Sequence, residues 1–429
     1  MTLGRRRRLP YGAAALAAVR AWRVSHRLPP GAMTRLDEAE RTDRLALMHL
    51  SRTHGPIFRG VMDERLAICV VGNAIGRRLL RDHAAALRPV TIDVSALFPG
   101  RFMRAMEGET HRTRRAALVR GLGALDYDAC APSLRAIAHG ALNAYADGPV
   151  GGPDAFQRWS AALSQIASGL LIRVVLGQVP GDPAFARLMN GYRALGPHGV
   201  AWRVGAPQIA AYAGLRAQLQ GDPGAGDPPG LLGLMTAQGA VDDTMLGNLI
   251  YMVEMGRYDL RGLLRWIFAY AAAQPLLLRR IAEATPARAA IFADAFVREV
   301  LRLDQSERLM RDVLEDITFD GFFIPRGALL RVCMWEAHKD EDSFARPFAF
   351  DPERFLDGRA FGERFSPFGL DHHLCPFAGI SVRLAAMTLI TVARDFTITA
   401  QGGAPAVRGP YHWEPAPDLS VTLTKRDAR

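Results

Sequence analysis

One cysteine stands between a histidine pair and a proline in PFGLDHHLCPFAG, residues 367–379. Sulfur ligates a metal only as thiolate, so chemistry at Cys375 needs surroundings that lower its pKa. Pro376 suits the first position of a helix, and FAGISVRLAAMTLITVARDF continues with helical spacing. Cys375 is therefore expected at a helix N-terminus, where the positive dipole end and free N–H groups favour negative sulfur. Phe368 and Gly369 supply an aromatic cover and a bend, and His373 can face an acidic group beside the sulfur. A buried small hydrophobe explains this cysteine equally well. Cys69, Cys130 and Cys333 lie far from it and from one another, with no CxxC. That spacing argues against a disulfide framework or zinc ribbon and suits a reducing cytosol, so a cytoplasmic location is expected.

Three further stretches hold charged groups at helical or loop spacing. FVREVLRL places Glu299 and Arg302 one turn apart, PFAFDPERF contains Arg354, and MEGETHRTRRAAL sets His111 and Arg115 on one helical face. Each is weak alone: an exposed Glu–Arg pair on a helix contributes only ~0.2–0.5 kcal/mol.

The elements that must position these groups are mostly helices. The longest periodic run extends from Met245 to about Ala273, with apolar residues recurring at three and four, long enough to cross a domain. Its stretch EMGRYDLRG brings Met252, Met255, Gly256, Asp259 and Leu263 to one face. PIFRGVM and RLAICVVG read as strands turning at Asp63–Glu64. DITFDGFFIPRGALLRVCMW reads as a second hairpin-like pair, turning near Asp320–Gly321 and Pro325–Gly327. GDPGAGDPPG, residues 221–230, is a surface connection. The fold class is mainly α with small β-sheets.

The chain has 429 residues, 49% hydrophobic and 22% charged, which fills a large core and excludes disorder as the default. The net charge of +10 is almost all arginine, since Lys339 and Lys425 are the only lysines. With so many alanines and glycines this reads as coding bias rather than as a nucleic-acid surface, although a basic face still attracts acidic partners. Residues 1–40 read as a basic N-terminal extension and 41–429 as one domain. The opening MTLGRRRRLPYGAAALAAVRAW is too short and too interrupted to span ~30 Å of hydrocarbon. No transmembrane segment is expected; loose attachment to a membrane surface through that start stays open.

Taken together and in this order, the four stretches resemble the cytochrome P-450 superfamily of haem-thiolate enzymes from roughly Arg41 to the C-terminus. The resemblance implies the cytochrome P-450 fold, with haem b (iron protoporphyrin IX) between the long helix and the cysteine loop. Cys375 would be the axial thiolate. Glu299, Arg302 and Arg354 would form the buried charged triad on the proximal side. His111, Arg115, Arg311 and His373 would hold the haem propionates, and Phe368 would cover the sulfur. The implied activity is monooxygenation or a related oxidative step on a small organic molecule. Since no flavin or iron–sulfur segment is attached, electrons would come from a separate ferredoxin or flavodoxin. Arg104, Arg112, Arg114 and Arg120 offer that donor a basic docking face.

The pattern is departed from at two places. Asp371 and Phe377 stand where the family usually has glycine, so Asp371 is expected to tolerate an unusual backbone and Phe377 to need room near the porphyrin. In the long helix Gly256 matches, but Tyr258 takes the place of the usual acid and Asp259 that of the usual threonine. Gly256, Tyr258 and Asp259 are the candidate catalytic positions. Asp259 either handles protons from a desolvated pocket or pairs with Arg257, Arg261 or Arg265. Peroxide use, isomerisation, dehydration or coupling are the rival chemistries, with Arg257 as a substrate-carboxylate anchor in the first. A non-catalytic activator of a partner enzyme is the remaining rival. The substrate lid is expected over Val179–Gln220, with Tyr192, His198, Trp202 and Tyr212, and over Arg88–Arg101.

Overall fold

The periodic run forms one 31-residue helix, Asp243–Ala273, and Asp242 explains where it starts. Its carboxylate accepts the Met245 N–H at 2.7 Å and takes both guanidinium nitrogens of Arg114 at 2.8 and 2.7 Å. Arg114 holds the Asp242 carboxyl down to about 2. Asp242→Ala should lower stability by about 1 kcal/mol, the usual value of an N-cap, read as a fall in Tm. Because this carboxyl titrates lower folded than unfolded, its contribution is complete above its unfolded pKa and is lost as pH falls toward 2.

The computed structural model describes residues 27–90, 96–97, 102–149, 154–196, 204–221, 226–305, 309–356, 361–409 and 412–427. Six helices position the site: α1 (Gly108–Gly123), α2 (Ala155–Leu176), α3 (Pro183–Leu195), α4 (Asp243–Ala273), α5 (Pro286–Leu303) and α6 (Ala378–Asp395). The main core gathers Ile166 and Leu170 of α2, Leu249 and Ile267 of α4, Phe296 of α5 and Leu389 of α6. By length and composition α2 could cross a membrane, unlike anything expected from the sequence. Its apolar window is 78% buried inside the protein, where it packs against α4.

The strands are β1 (Ile57–Met62), β2 (Arg65–Val71), β3 (Leu87–Pro89), β4 (Leu309–Val313), β5 (Ile317–Phe319), β6 (Phe322–Ile324), β7 (Leu329–Cys333), β8 (Phe396–Gln401), β9 (Val407–Arg408), β10 (Trp413–Glu414) and β11 (Ser420–Lys425). Asp63 and Glu64 both take positive φ, 50° and 60°, as the two-residue turn between β1 and β2 requires. Asp320 and Gly321 do the same between β5 and β6. Beyond Pro325–Gly327 the chain leaves that hairpin, and β7 enters the five-stranded sheet β1-β2-β7-β4-β3, parallel to β2.

The boundary expected at residue 40 moves toward the N-terminus. Leu36 is fully buried in a helix, Leu36–Thr42, and buried Glu40 takes two hydrogen bonds from Arg331 of β7 at 2.6 and 2.7 Å. Residues 27–40 thus include part of the fold. Residues 1–26, with the arginine run, lie outside the described residues.

Candidate active site

Met252, Met255, Gly256, Asp259 and Leu263 share a helical face, and all five line one cavity. The cysteine loop forms its opposite wall through Phe368, His373 and Cys375; α1 adds His111 and Arg115, and β4 adds Arg311. The empty space is about 1560 Å³ with its open mouth included.

Backbone bonds shape the loop independently of the sulfur. Cys375 N–H donates to the Phe368 carbonyl at 3.0 Å, and Ala378 N–H to the Cys375 carbonyl at 3.4 Å. Gly369 sits at φ +112°, a conformation open to glycine and strained for other residues. Helix α6 starts at Ala378 with Phe377 as N-cap, two residues later than Pro376 implied. Half-buried Cys375 therefore lies a turn ahead of the helix end rather than on it.

Both departures in this loop find places. Asp371 has no positive φ; its side chain does the work instead, accepting the His373 N–H at 2.9 Å and a close bond from Arg311. Burial alone would raise the Asp371 carboxyl, but Arg311 and these bonds hold it below the ordinary carboxylate range. Phe377 is buried in the main core and also lines the cavity.

The four candidates His111, Arg115, Arg311 and His373 meet on one side. His111 is buried, and its pKa is held below the ordinary value, first by desolvation and then by His372 and Arg115. Its ring lies 4.5 Å from that of His373, whose Nε2 meets Glu107 Oε1 at 3.1 Å. Desolvation, then His372, lowers His373 to about 4. Arg115 donates to the Leu374 carbonyl at 2.7 Å, tying α1 to the loop. Arg311 is buried and shared with Asp371.

Glu299, Arg302 and Arg354 come together away from the cavity. Arg302 grips Glu299 through two 2.8 Å bonds, and Arg354 Nε reaches Glu299 Oε1 at 3.1 Å.

Other expectations are corrected. Tyr258 is not among the residues lining the cavity and donates to Glu414 Oε1 at 3.0 Å. Burial, then Glu414, raises its phenol well above the ordinary value. Arg257 is bound to Glu254 at 2.6 and 2.9 Å and to the Gly196 carbonyl, and it is not among the residues lining the cavity. Arg265 pairs with Glu414 at 2.9 Å, and Arg261 Nη1 lies 3.5 Å from Ser164 Oγ, so neither forms the Asp259 salt bridge considered above. Of the docking arginines, Arg114 is bound to Asp242, Arg104 lines the cavity and Arg112 pairs with Glu109; Arg112 and Arg120 remain exposed. Tyr192 and Tyr212 are core residues, while His198, Trp202 and most of residues 91–101 lie outside the described residues.

Several lining residues went unnoticed in the sequence, among them Asn248, Tyr251, Gln305 and His412. Asn248 continues the helical face and was legible at four residues before Met252; its Oδ1 accepts the Met103 N–H at 2.7 Å. Gln305 and His412 reach the site through tertiary packing alone.

Comparison with known proteins now bears on this geometry. Residues 290–406 match the family model for cytochrome P450. An echilunin cytochrome P450 monooxygenase of Aspergillus ruber is 32% identical over 35% of this chain and 29% of its own length. Vinorine hydroxylase of Rauvolfia serpentina is 32% identical over 27% of this chain and 26% of its own. The chain thus matches about three-tenths of these curated relatives. Among solved structures, a retinoic acid-bound cyanobacterial CYP120A1 superposes with a TM-score of 0.69 at 19% identity, over 94% of this chain and all of that one.

The prosthetic group of that family is haem b, and the residues present fit it. A thiol faces the cavity, apolar side chains and Phe368 wall it, and two arginines and two histidines converge on one rim, as carboxylates require. Residues 290–406 carry the cytochrome P450 family pattern, and over 94% of its length the chain has the fold of a cytochrome P450 structure.

Proposed function

We propose that the protein is a monooxygenase that oxidises a small organic molecule at a Cys375-ligated haem, with electrons from a separate cytoplasmic ferredoxin or flavodoxin. The observation that carries this reading is one cavity bounded by Cys375 on one side and by the Met252–Leu263 face of α4 on the other. Haem bound through a thiolate activates dioxygen, the electron-rich sulfur favouring O–O cleavage.

The chain's own residues divide the remaining tasks. Arg115, Arg311, His111 and His373 anchor negative groups at the rim. Met103, Met252, Met255 and Leu171 give the substrate an apolar, adaptable wall. Gly256 leaves space over the cavity; a Cβ there would come 3.1 Å from Leu171. Asp259 presents its carboxylate toward the cavity, with a side chain 56% exposed, and delivers or orients the proton.

The reading is tested by spectra of the purified, reduced protein under carbon monoxide, where a red-shifted Soret band is expected. Product formation should then depend on dioxygen, an electron donor and a ferredoxin or flavodoxin. Turnover with peroxide alone, or without any reductant, would replace monooxygenation with one of the rival chemistries. Asp259→Asn should cut coupled turnover by about 10²-fold, a typical value for a lost general acid, while oxygen is still consumed and peroxide released. Unchanged coupling would remove Asp259 from the proton path.

A further inference from the structure

The residues that displace the family's acid and alcohol in α4 are met by a segment from the other end of the chain. Within residues 412–414, His412 meets Asp259, the Trp413 carbonyl accepts from Trp266 Nε1 at 2.8 Å, and Glu414 takes Tyr258 and Arg265. Gly262 makes the approach feasible: a Cβ there would lie 2.7 Å from His412 Cε1 and 3.0 Å from Gln305 Nε2. His412 lines the cavity with a side chain only 4% exposed.

The tautomer follows from its neighbours. His412 Nδ1 lies 3.2 Å from the Trp413 carbonyl oxygen, which only accepts, so Nδ1 carries a proton. Nε2 faces Asp259 Oδ1 at 3.8 Å. A lone pair opposed to a carboxylate is unfavourable there, and one further proton, on Nε2 or on the carboxyl, converts the repulsion into attraction.

We infer that His412 and Asp259 together hold one transferable proton over the cavity, with His412 the positioning residue and Asp259 the donor. The inference rests on the haem-thiolate reading. In the transfer, an acceptor in the cavity gains that proton and the pair is left as neutral imidazole and carboxylate. Solvent then reloads it through the open side of Asp259. Among the described residues, the other charged and titratable groups near the pair have partners of their own or stand elsewhere on the wall. Tyr258 and Arg265 of α4 are held by Glu414 of β10, and Arg261 lies against the Tyr258 ring at 5.5 Å. Gln305 donates to the Asp259 carbonyl at 3.3 Å. His111, Arg115, Arg311, His373 and Cys375 stand elsewhere on the cavity wall.

The test is infrared spectroscopy of the reduced holoenzyme with carbon monoxide as probe, followed from acidic to alkaline pH. The C–O stretch of the unaltered protein should shift with pH as the pair loses its proton. His412→Gln and Asp259→Asn should each abolish that shift. Gly262→Ala, which keeps both groups but displaces the imidazole, should weaken it. A C–O stretch independent of pH in the unaltered protein, or a shift that persists in His412→Gln with an intact Soret band, overturns the inference. Failure to form any carbon monoxide complex overturns the haem-thiolate reading instead, and this inference with it.

Discussion

Cys375→Ala should give a folded protein whose reduced carbon monoxide complex has lost the red-shifted Soret band, with oxidation of substrate falling to background. No other sulfur can act as thiolate in its place. Cys69, Cys130 and Cys333 are buried and absent from the cavity wall, and the methionines that line it are thioethers. The fold should survive because the loop is held by backbone bonds from Cys375 to Phe368 and from Ala378 to Cys375, neither of which uses the side chain. Cys375→His is the informative companion. It offers a neutral nitrogen ligand, so haem should be retained while the band moves to the position of imidazole-ligated proteins. If Cys375→Ala keeps the red-shifted band, the thiolate assignment is wrong. If it loses cooperative unfolding along with the band, the loop depends on sulfur in a way that its bonds do not indicate.

How much of this was legible from the chain alone follows from the range of each interaction. The α4 face was readable because helical spacing is local: Met252, Met255, Gly256, Asp259 and Leu263 fall together whatever packs on them. The turns at Asp63–Glu64 and Asp320–Gly321 were readable for the same reason, since two residues set their geometry. The start of α6 was misplaced because Pro376 is compatible with the first helical position without enforcing it. Asp371 was misread as a backbone device, since its partner Arg311 is 60 residues away in sequence. Tyr258 shows the cost of aligning by position: it fills the slot of an acid in the family pattern, yet its direction is set by Glu414 on a distant strand. His412 and Gln305 carried no local signal, and the contact between α4 and the 412–414 segment is what makes them part of the site.

Arg302→Leu should be the most damaging substitution outside the cavity, costing ~3–5 kcal/mol because it strands a buried carboxylate. Against a typical total stability of ~5–15 kcal/mol, much of the protein should lose haem and cooperative unfolding at physiological temperature. The geometry makes the reason specific. Both Glu299 and Arg302 are 0% exposed. The five N–H groups of Arg302 have five acceptors: Nε and Nη2 bind the two Glu299 oxygens, Nη1 the His338 and Pro347 carbonyls, and Nη2 also that of Ala349. Lysine has three donors on a single atom, so Arg302→Lys keeps the charge but leaves at least two of these acceptors unmet. Its loss should lie between that of Arg302→Leu and the unaltered protein. Arg298→Ala supplies the contrast. Its partner Asp294 is one turn away, and the two side chains are 39% and 40% exposed, so only a few tenths of a kcal/mol should be lost. Urea unfolding and haem content read both series. Equal effects of Arg298→Ala and Arg302→Leu would mean that the Glu299–Arg302 pair is an ordinary surface pair. Separation by several-fold in stability would establish it as the tie that fixes the His338, Pro347 and Ala349 carbonyls.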